Sequence, residues 1–451
     1  MENRNTQIKW SEKLAYGLGG MTLALAVGMN QYFIMYLTNV AFLDIAVIST
    51  ILAVSRIFDG ISDILIGNLI DNTNTVHGKA RIWIRRMCLP AGLTMILMFY
   101  VPSSWPEGLK YVYVFLIYNL FTTVFTSFTN IAHHSLLPLM TDDQREYRQI
   151  VSITGVLQKI GDMLASAYIV KLLMVFTSKP GNPLTQKAFT CVITILAIIF
   201  IACFVIEYVF TSERIHDNNR KTGEAPGSVK TGVFSELRFL FSDKNWIIFF
   251  FAVFLGMLGQ GIASPAMSYY TLYVLNDLGA MTWINLVLGI TGISASVVMI
   301  ITGHKFGTRA ILVAGSILQI AGRTGLGIVG NGNQSILTVM FILIGTGGGL
   351  LPIAVQALST QMIHYSKKKK GKLVPGVGSA VNNTALKLAM GLGTVVFGLL
   401  MSAGGFNAAL DAQGIAQSAS VLTAIKMGFC WLPVPILIVQ ILLVVFFLDI
   451  E

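Results

Sequence analysis

Twelve long apolar runs constrain this chain more than any other feature, because a helix needs about 20 apolar residues to cross a bilayer's hydrocarbon core. They fall at 14–38, 46–71, 84–102, 109–138, 149–177, 187–211, 245–276, 281–303, 309–330, 335–361, 376–404 and 420–448. Inside lipid every backbone polar group must be satisfied without water, which leaves helices as the spanning element for runs of this length. The expected fold class is an all-α polytopic membrane protein with twelve transmembrane helices. Composition agrees: 54% of the 451 residues are hydrophobic and 12% charged, where a soluble domain carries roughly a quarter charged residues. Met1 to Lys13 is polar and the first run is too long for a cleavable signal, so that run reads as the first span.

The net charge of +10 does not indicate nucleic acid, because the basic residues cluster between runs. Lys79, Arg81, Arg85 and Arg86 follow run 2, and Arg145 and Arg148 follow run 4. Arg214, Arg220, Lys221, Lys230 and Arg238 follow run 6, Lys305 and Arg309 run 8, and Lys367 to Lys370 with Lys372 run 10. The alternate connections are nearly free of Lys and Arg, so both termini are expected in the cytoplasm and the protein in the plasma membrane. Trp83, Trp246 and Trp283 stand at run starts, as interfacial aromatics do. Cys88, Cys191, Cys203 and Cys430 lie in apolar runs without a CxxC and read as packing residues.

The longest polar connection divides the runs six and six. The expected organisation is an N-terminal six-helix bundle (1–211), a cytoplasmic middle loop (212–244) and a C-terminal six-helix bundle (245–451). GKARIWIRRMCLPAG between runs 2 and 3 is faintly echoed by GTRAILVAG between runs 8 and 9, as a duplicated unit predicts.

Charge inside a span singles out SRIFDGISDILIGNLIDN in run 2. Asp59 and Asp63 are four apart and share a helix face, and Arg56 lies on the same side. Such charge costs at least about 2.5–3.5 kcal/mol to insert and marks ion or substrate paths. The three residues form either a structural ion network or, with two carboxylates against one guanidinium, a site for one more cation, Na⁺ or H⁺. Lys387 in run 11 must snorkel, lose its proton or find an acidic partner, for which Asp59 and Asp63 are the natural choice. Run 4 carries a polar stripe of Ser127, Asn130 and His134; the Ser and Asn oxygens suit a hard cation or sugar hydroxyls, and His134 is favoured over His133 to face inward. Asn30, Gln31, Lys159, Asp162, Gln260, Arg323 and Gln356 are weaker candidates, with Gln260 taken among the substrate residues. No nucleophile elbow, phosphate loop or metalloprotease pattern is present, so an enzyme is not expected.

RIFDGISDILIGNLIDNT followed by HGKARIWI resembles the signature of the glycoside–pentoside–hexuronide:cation symporters, the melibiose permease family. NIAHHSLLPLMTDDQREYRQI, TSERI, SYYTLYVLND and Lys387 fit the same family, so the likeness covers nearly the whole chain. It implies the major facilitator fold and alternating access around a central sugar site. It also implies cation binding at Asp59 and Asp63 (the Na⁺ ligands if coupling is to sodium), helped by Ser62 and Ser127. Lys387 matches a lysine tied to both cation and sugar sites, and Arg56 an arginine one turn before the acids. Melibiose-transporting members place a sugar-binding aspartate in span 1 and another in span 4, where this chain has Ala24 and Asn130. Their span 4 tryptophan is His134 here, and acids after span 10 read as Gln361 and His364.

The resulting expectation is cation-coupled symport of a sugar or glycoside other than melibiose, a uronide being conceivable, with substrate contacts from Asn130, His134, Lys387, Arg56 and Gln260. No cofactor is expected beyond the co-transported Na⁺ or H⁺. The expected partners are the substrate and membrane lipid, with the protein a monomer. The alternatives are a lipid or drug carrier on the same fold and a non-transporting receptor or scaffold.

Overall fold

The computed structural model describes residues 8–73, 75–141, 143–177, 184–214, 242–302, 306–329, 333–370, 375–407, 410 and 416–449. Arg220, Lys221, Lys230, Arg238, Lys305 and Lys372 lie outside the described residues, as do the side chains of Arg145, Arg148, His364, Lys367 and Lys370.

Every expected span falls on a helix or a run of abutting helices. The first half comprises α1 (Trp10–Asn30), α2 (Phe33–Asn39), α3 (Ile45–Asp71), α4 (Arg81–Met98), α5 (Glu107–Asn119), α6 (Ser127–Met140), α7 (Gln144–Phe176) and α8 (Gln186–Phe210). A π-helical turn, Leu120–Thr126, joins α5 to α6. The second half comprises α9 (Lys244–Tyr269), α10 (Ala280–Thr302), α11 (Thr308–Val329), α12 (Gln334–Lys370), α13 (Pro375–Ala403), α14 (Ala419–Lys426) and α15 (Pro433–Leu442). Further π turns extend α9 (Tyr270–Val274), join α14 to α15 (Met427–Trp431) and close the last run (Leu443–Phe447). Side-chain oxygens fix several starts: Asp44 accepts from the amides of Ala46 and Val47 to cap α3, and Asp243 accepts from Asn245 to cap α9.

Several boundaries differ from the sequence reading: α4 ends at Met98 where 102 was expected, and α7 starts at Gln144 where 149 was expected. The first run breaks at Gln31–Tyr32 into α1 and α2. Helix α12 runs nine residues past its expected end, from 361 to Lys370, carrying the lysine run as helix. Among the described residues nine helical runs are long and apolar enough to cross a membrane. Ile45–Arg56 of α3 is a shorter apolar stretch, while α4 carries Arg81, Arg85 and Arg86 and α7 carries Lys159, Asp162 and Lys171.

The chain divides into two compact units, Met1–Asn219 and Arg220–Glu451. Within the first, α1 packs on α7 and α8, α4 on α6 and α8, and α3 on α5 and α6. Within the second, α9 packs on α13 and α15, α11 on α12 and α15, and α10 on α12. Helix for helix this is the same plan, so the faint sequence echo corresponds to a repeated packing order. Small residues set the second unit's seams. A Cβ added at Gly393 on α13 would sit 2.7 Å from the backbone of Gly261 on α9, and one at Gly345 on α12 would sit 2.9 Å from the Cα of Leu288 on α10. Such close approach supplies the van der Waals contact that holds helices together in lipid.

Candidate functional site

The acidic motif folds as the sequence implies. Residues 55 to 66 continue α3 without a break, and α3 packs against α5, the π turn and α6. Asp59 is 3% exposed and points into that seam. Arg56 Nη1 donates to Asp59 Oδ2 at 3.1 Å, and the Thr123 hydroxyl donates to Asp59 Oδ1. Asn119 Oδ1 lies 3.1 Å from the same hydroxyl, and Asn119 Nδ2 donates to Ser55 Oγ at 2.8 Å. Asp63 follows one turn later, half-buried and itself engaged.

The π turn is what brings these groups together. Wider than an α-turn, it shifts the register of the helix, and such turns recur at functional sites. Ser62 Oγ donates to the carbonyls of Asp59 (3.0 Å) and Thr123 (2.9 Å), stitching α3 to the turn. The Ser127 hydroxyl reaches back five residues to Thr122 O at 3.1 Å, following the wide register.

Of the expected cation residues, Asp59 and Ser62 meet the π turn from α3, while Ser127, at the start of α6, bonds the turn's Thr122 carbonyl. Asn130 and His134 are exposed side chains on α6. The buried histidine is His133: it is fully enclosed, its Nδ1 stands 2.6 Å from Glu207 Oε1 on α8, and its ring stacks on Tyr16 of α1 at 4.1 Å. His133 Nε2 and Glu207 Oε2 have no hydrogen-bond partner among the described residues.

In the second unit Lys387 is half-buried on α13 and engaged. Gln260 is exposed on α9, its Oε1 3.5 Å from Nη2 of the buried Arg323, whose Nη1 donates to Phe429 O at 2.7 Å. No carboxylate pairs with Arg323 among the described residues, and no acid occurs in the sequence between Asp277 and Asp411.

Sequence reasoning missed Thr123 and Asn119. The signal was present, since Asn119, Thr123 and Ser127 are spaced by four and extend the polar stripe toward the start of the span. It also missed Glu207 and the role of the TSER segment. Arg214 binds Glu12 of α1 through two bonds of 2.7 Å. Glu213 accepts from the backbone amides of Lys79, Ala80 and Arg81 at 2.8–2.9 Å, so its carboxylate sits on the N-terminus of α4. Gly78, at φ +98°, makes the turn that aims those amides.

Among the described residues no three His, Cys, Asp or Glu converge on a metal position. The donor set around Asp59 is carboxylate, hydroxyl and amide oxygen, which suits a hard cation.

Comparison with known proteins decides the family. A family model described as MFS/sugar transport protein matches residues 15–451. The chain belongs to that family. As a member of the MFS/sugar transport proteins it is a transporter, not an enzyme, with the helical fold the sequence implied. It is 27% identical over 433 residues to the isoprimeverose transporter of Lactiplantibacillus pentosus, covering 95% of this chain and 86% of that one. It is 23% identical to the putative glycoside/cation symporter YagG of Escherichia coli (strain K12), covering 95% and 90%. A structure of the xylose transporter XylE from E. coli superposes with a TM-score of 0.66 over 98% of this chain and 100% of that one; at 13% identity it speaks for the fold alone.

Proposed function

We propose that this member of the family is a secondary active transporter that couples the inward flow of Na⁺ or H⁺ to uptake of a sugar or glycoside by alternating access. The observation that carries the cation role is the buried Asp59 carboxylate, paired with one guanidinium and one hydroxyl while Asp63 lies one turn away. Arg56 pairs with Asp59, and Asp63 brings a second carboxylate to the same helix face one turn on. Thr123 and Asn119 supply neutral oxygens. Ser62 holds the π turn against α3, and Ser127 joins the shell by turning its hydroxyl.

Asn130 and His134 on α6, with Gln260, Lys387 and Arg56, are the substrate residues in this reading. Ala24 and Asn130 replace the acids that melibiose-transporting relatives use, so melibiose is not the substrate. The relatives' names favour a sugar or glycoside over a lipid or drug. In this reading the protein acts as a monomer in the plasma membrane with both termini in the cytoplasm, an orientation supported by the lysine and arginine distribution.

The test is uptake into vesicles with imposed Na⁺ or pH gradients, across a panel of radiolabelled glycosides, pentosides and uronides. Wild type is expected to concentrate at least one of them, and Asp59→Asn to bind it without concentrating it. Gradient-driven accumulation by Asp59→Asn at the wild-type level would refute the coupling role.

A further inference from the structure

The second unit contains a polar cavity of about 510 Å³ away from every residue discussed above as a transport site. The start of α9, the end of α12, and Phe447 of the last π turn with Asp449 beyond it line the cavity. Its floor is rigid. Asn245 Nδ2 donates to Tyr365 Oη at 2.9 Å and to the Asp449 carbonyl, and the Asp449 amide donates back to Asn245 Oδ1 at 3.3 Å.

Among the described residues its lining carries three lysines (Lys244, Lys368, Lys369) and two aspartates (Asp243, Asp449), a formal balance of +1. Lys369 and Asp243 are already committed. Lys369 Nζ donates to Tyr365 Oη at 2.6 Å and stands 3.5 Å from Asp243 Oδ2, while Asp243 caps α9. Neither Lys244 nor Lys368 forms an ion pair among the described residues. Two ammonium groups therefore face the cavity against Asp449.

The cavity also adjoins apolar surface. Lys244, Ile247 and Phe251 lie at i, i+3 and i+7 and share one face of α9. Ile247 is 38% exposed and Phe251 49%, and Phe447, over whose ring Lys244 Nζ sits at 5.9 Å, is 51% exposed. A basic cup thus lies at the foot of an apolar stripe, at the helix ends that the charge distribution assigns to the cytoplasm. Basic pockets between helices on that side recognise acidic lipid headgroups.

We infer that this cavity binds an anionic phospholipid of the cytoplasmic leaflet, its headgroup phosphate on Lys244 and Lys368 and an acyl chain along Ile247 and Phe251. A free phosphate would use the lysines and leave the stripe idle. A zwitterionic lipid would use the stripe without matching the net charge.

The experiment is native mass spectrometry of the full chain in detergent, titrated separately with dioleoyl phosphatidylglycerol, dioleoyl phosphatidylcholine and glycerol 3-phosphate. Phosphatidylglycerol is expected to be retained preferentially. Neutralising Lys244 and Lys368 together (Lys244→Gln, Lys368→Gln) should weaken that retention about fivefold per lysine. Asp449→Asn should strengthen it and serves as the test should the lysine variant not fold. Equal retention of phosphatidylcholine, glycerol 3-phosphate binding as tightly as the lipid, or unchanged phosphatidylglycerol retention in the charge variants would each overturn the assignment.

Discussion

Thr123, on the π turn between α5 and α6, donates its hydroxyl hydrogen bond to the Asp59 carboxylate on α3. Two spans are thereby joined at the group with the strongest claim to bind an ion. In the cation-bound state proposed above the same hydroxyl turns its oxygen toward the ion, and losing such a contact to a charged group costs about 1.5–3 kcal/mol. Thr123→Val keeps the shape and removes the oxygen, so half-saturation of uptake by the coupling cation should rise about tenfold or more. Thr123→Ser should restore it. A fall in thermal stability with no change in cation dependence would assign Thr123 a purely structural part.

Arg56 should act in the opposite direction. Its guanidinium occupies Asp59 Oδ2 and competes there with any incoming cation. Arg56→Gln lifts that competition, and the cation should bind more tightly by about tenfold, the order expected for a partly buried charge a few ångströms away. Isothermal titration of the purified protein reads the sign directly; weaker binding would show that Arg56 assists the ion.

The enclosed His133–Glu207 pair ties α6 to α8. Removing one member leaves the other buried and unmatched, which costs about 3–5 kcal/mol. Glu207→Leu and His133→Leu are each expected to lower the unfolding temperature sharply, and the double variant to recover much of the loss. Losses that simply add in the double variant would mean the two groups do not depend on each other.

Glu213 is expected to matter for stability more than for transport. Its carboxylate covers three amides at the start of α4, where a cap contributes about 1–2 kcal/mol. Glu213→Ala should lower the unfolding temperature and leave cation half-saturation unchanged. Gly78→Ala should mimic it, because φ +98° disfavours a side chain. A shifted cation dependence in either variant would link this turn to the ion site.

The fold was legible because long apolar runs admit few readings, and the acidic pair because charge is rare inside a span. Thr123 was less visible for a physical reason. Hydroxyls in apolar helices commonly bond their own backbone, as Thr94 does to Pro90 O at 2.8 Å and Thr122 to Tyr118 O at 2.9 Å. Only the packing of α3 against a widened turn separates Thr123 from these, and a π turn leaves no mark in hydrophobic periodicity.

Glu207 was hidden by position. An acid in the last turn of an apolar run looks like the approach to an interface, yet it is sealed against His133, Tyr16 and Gly19. Choosing between His133 and His134 from sequence was equally insecure. Neighbouring residues on a helix point about 100° apart, and which of them enters the core depends on how the whole of α6 is rotated.

The matching neighbour order of the two units bears on biosynthesis. Each half closes its own seams, so the ribosome, at roughly 5–20 residues per second, has delivered everything the first bundle needs some ten to forty seconds before the last helix emerges. Misfolding caught during translation should therefore stall at half-length and spare the nascent C-terminal portion.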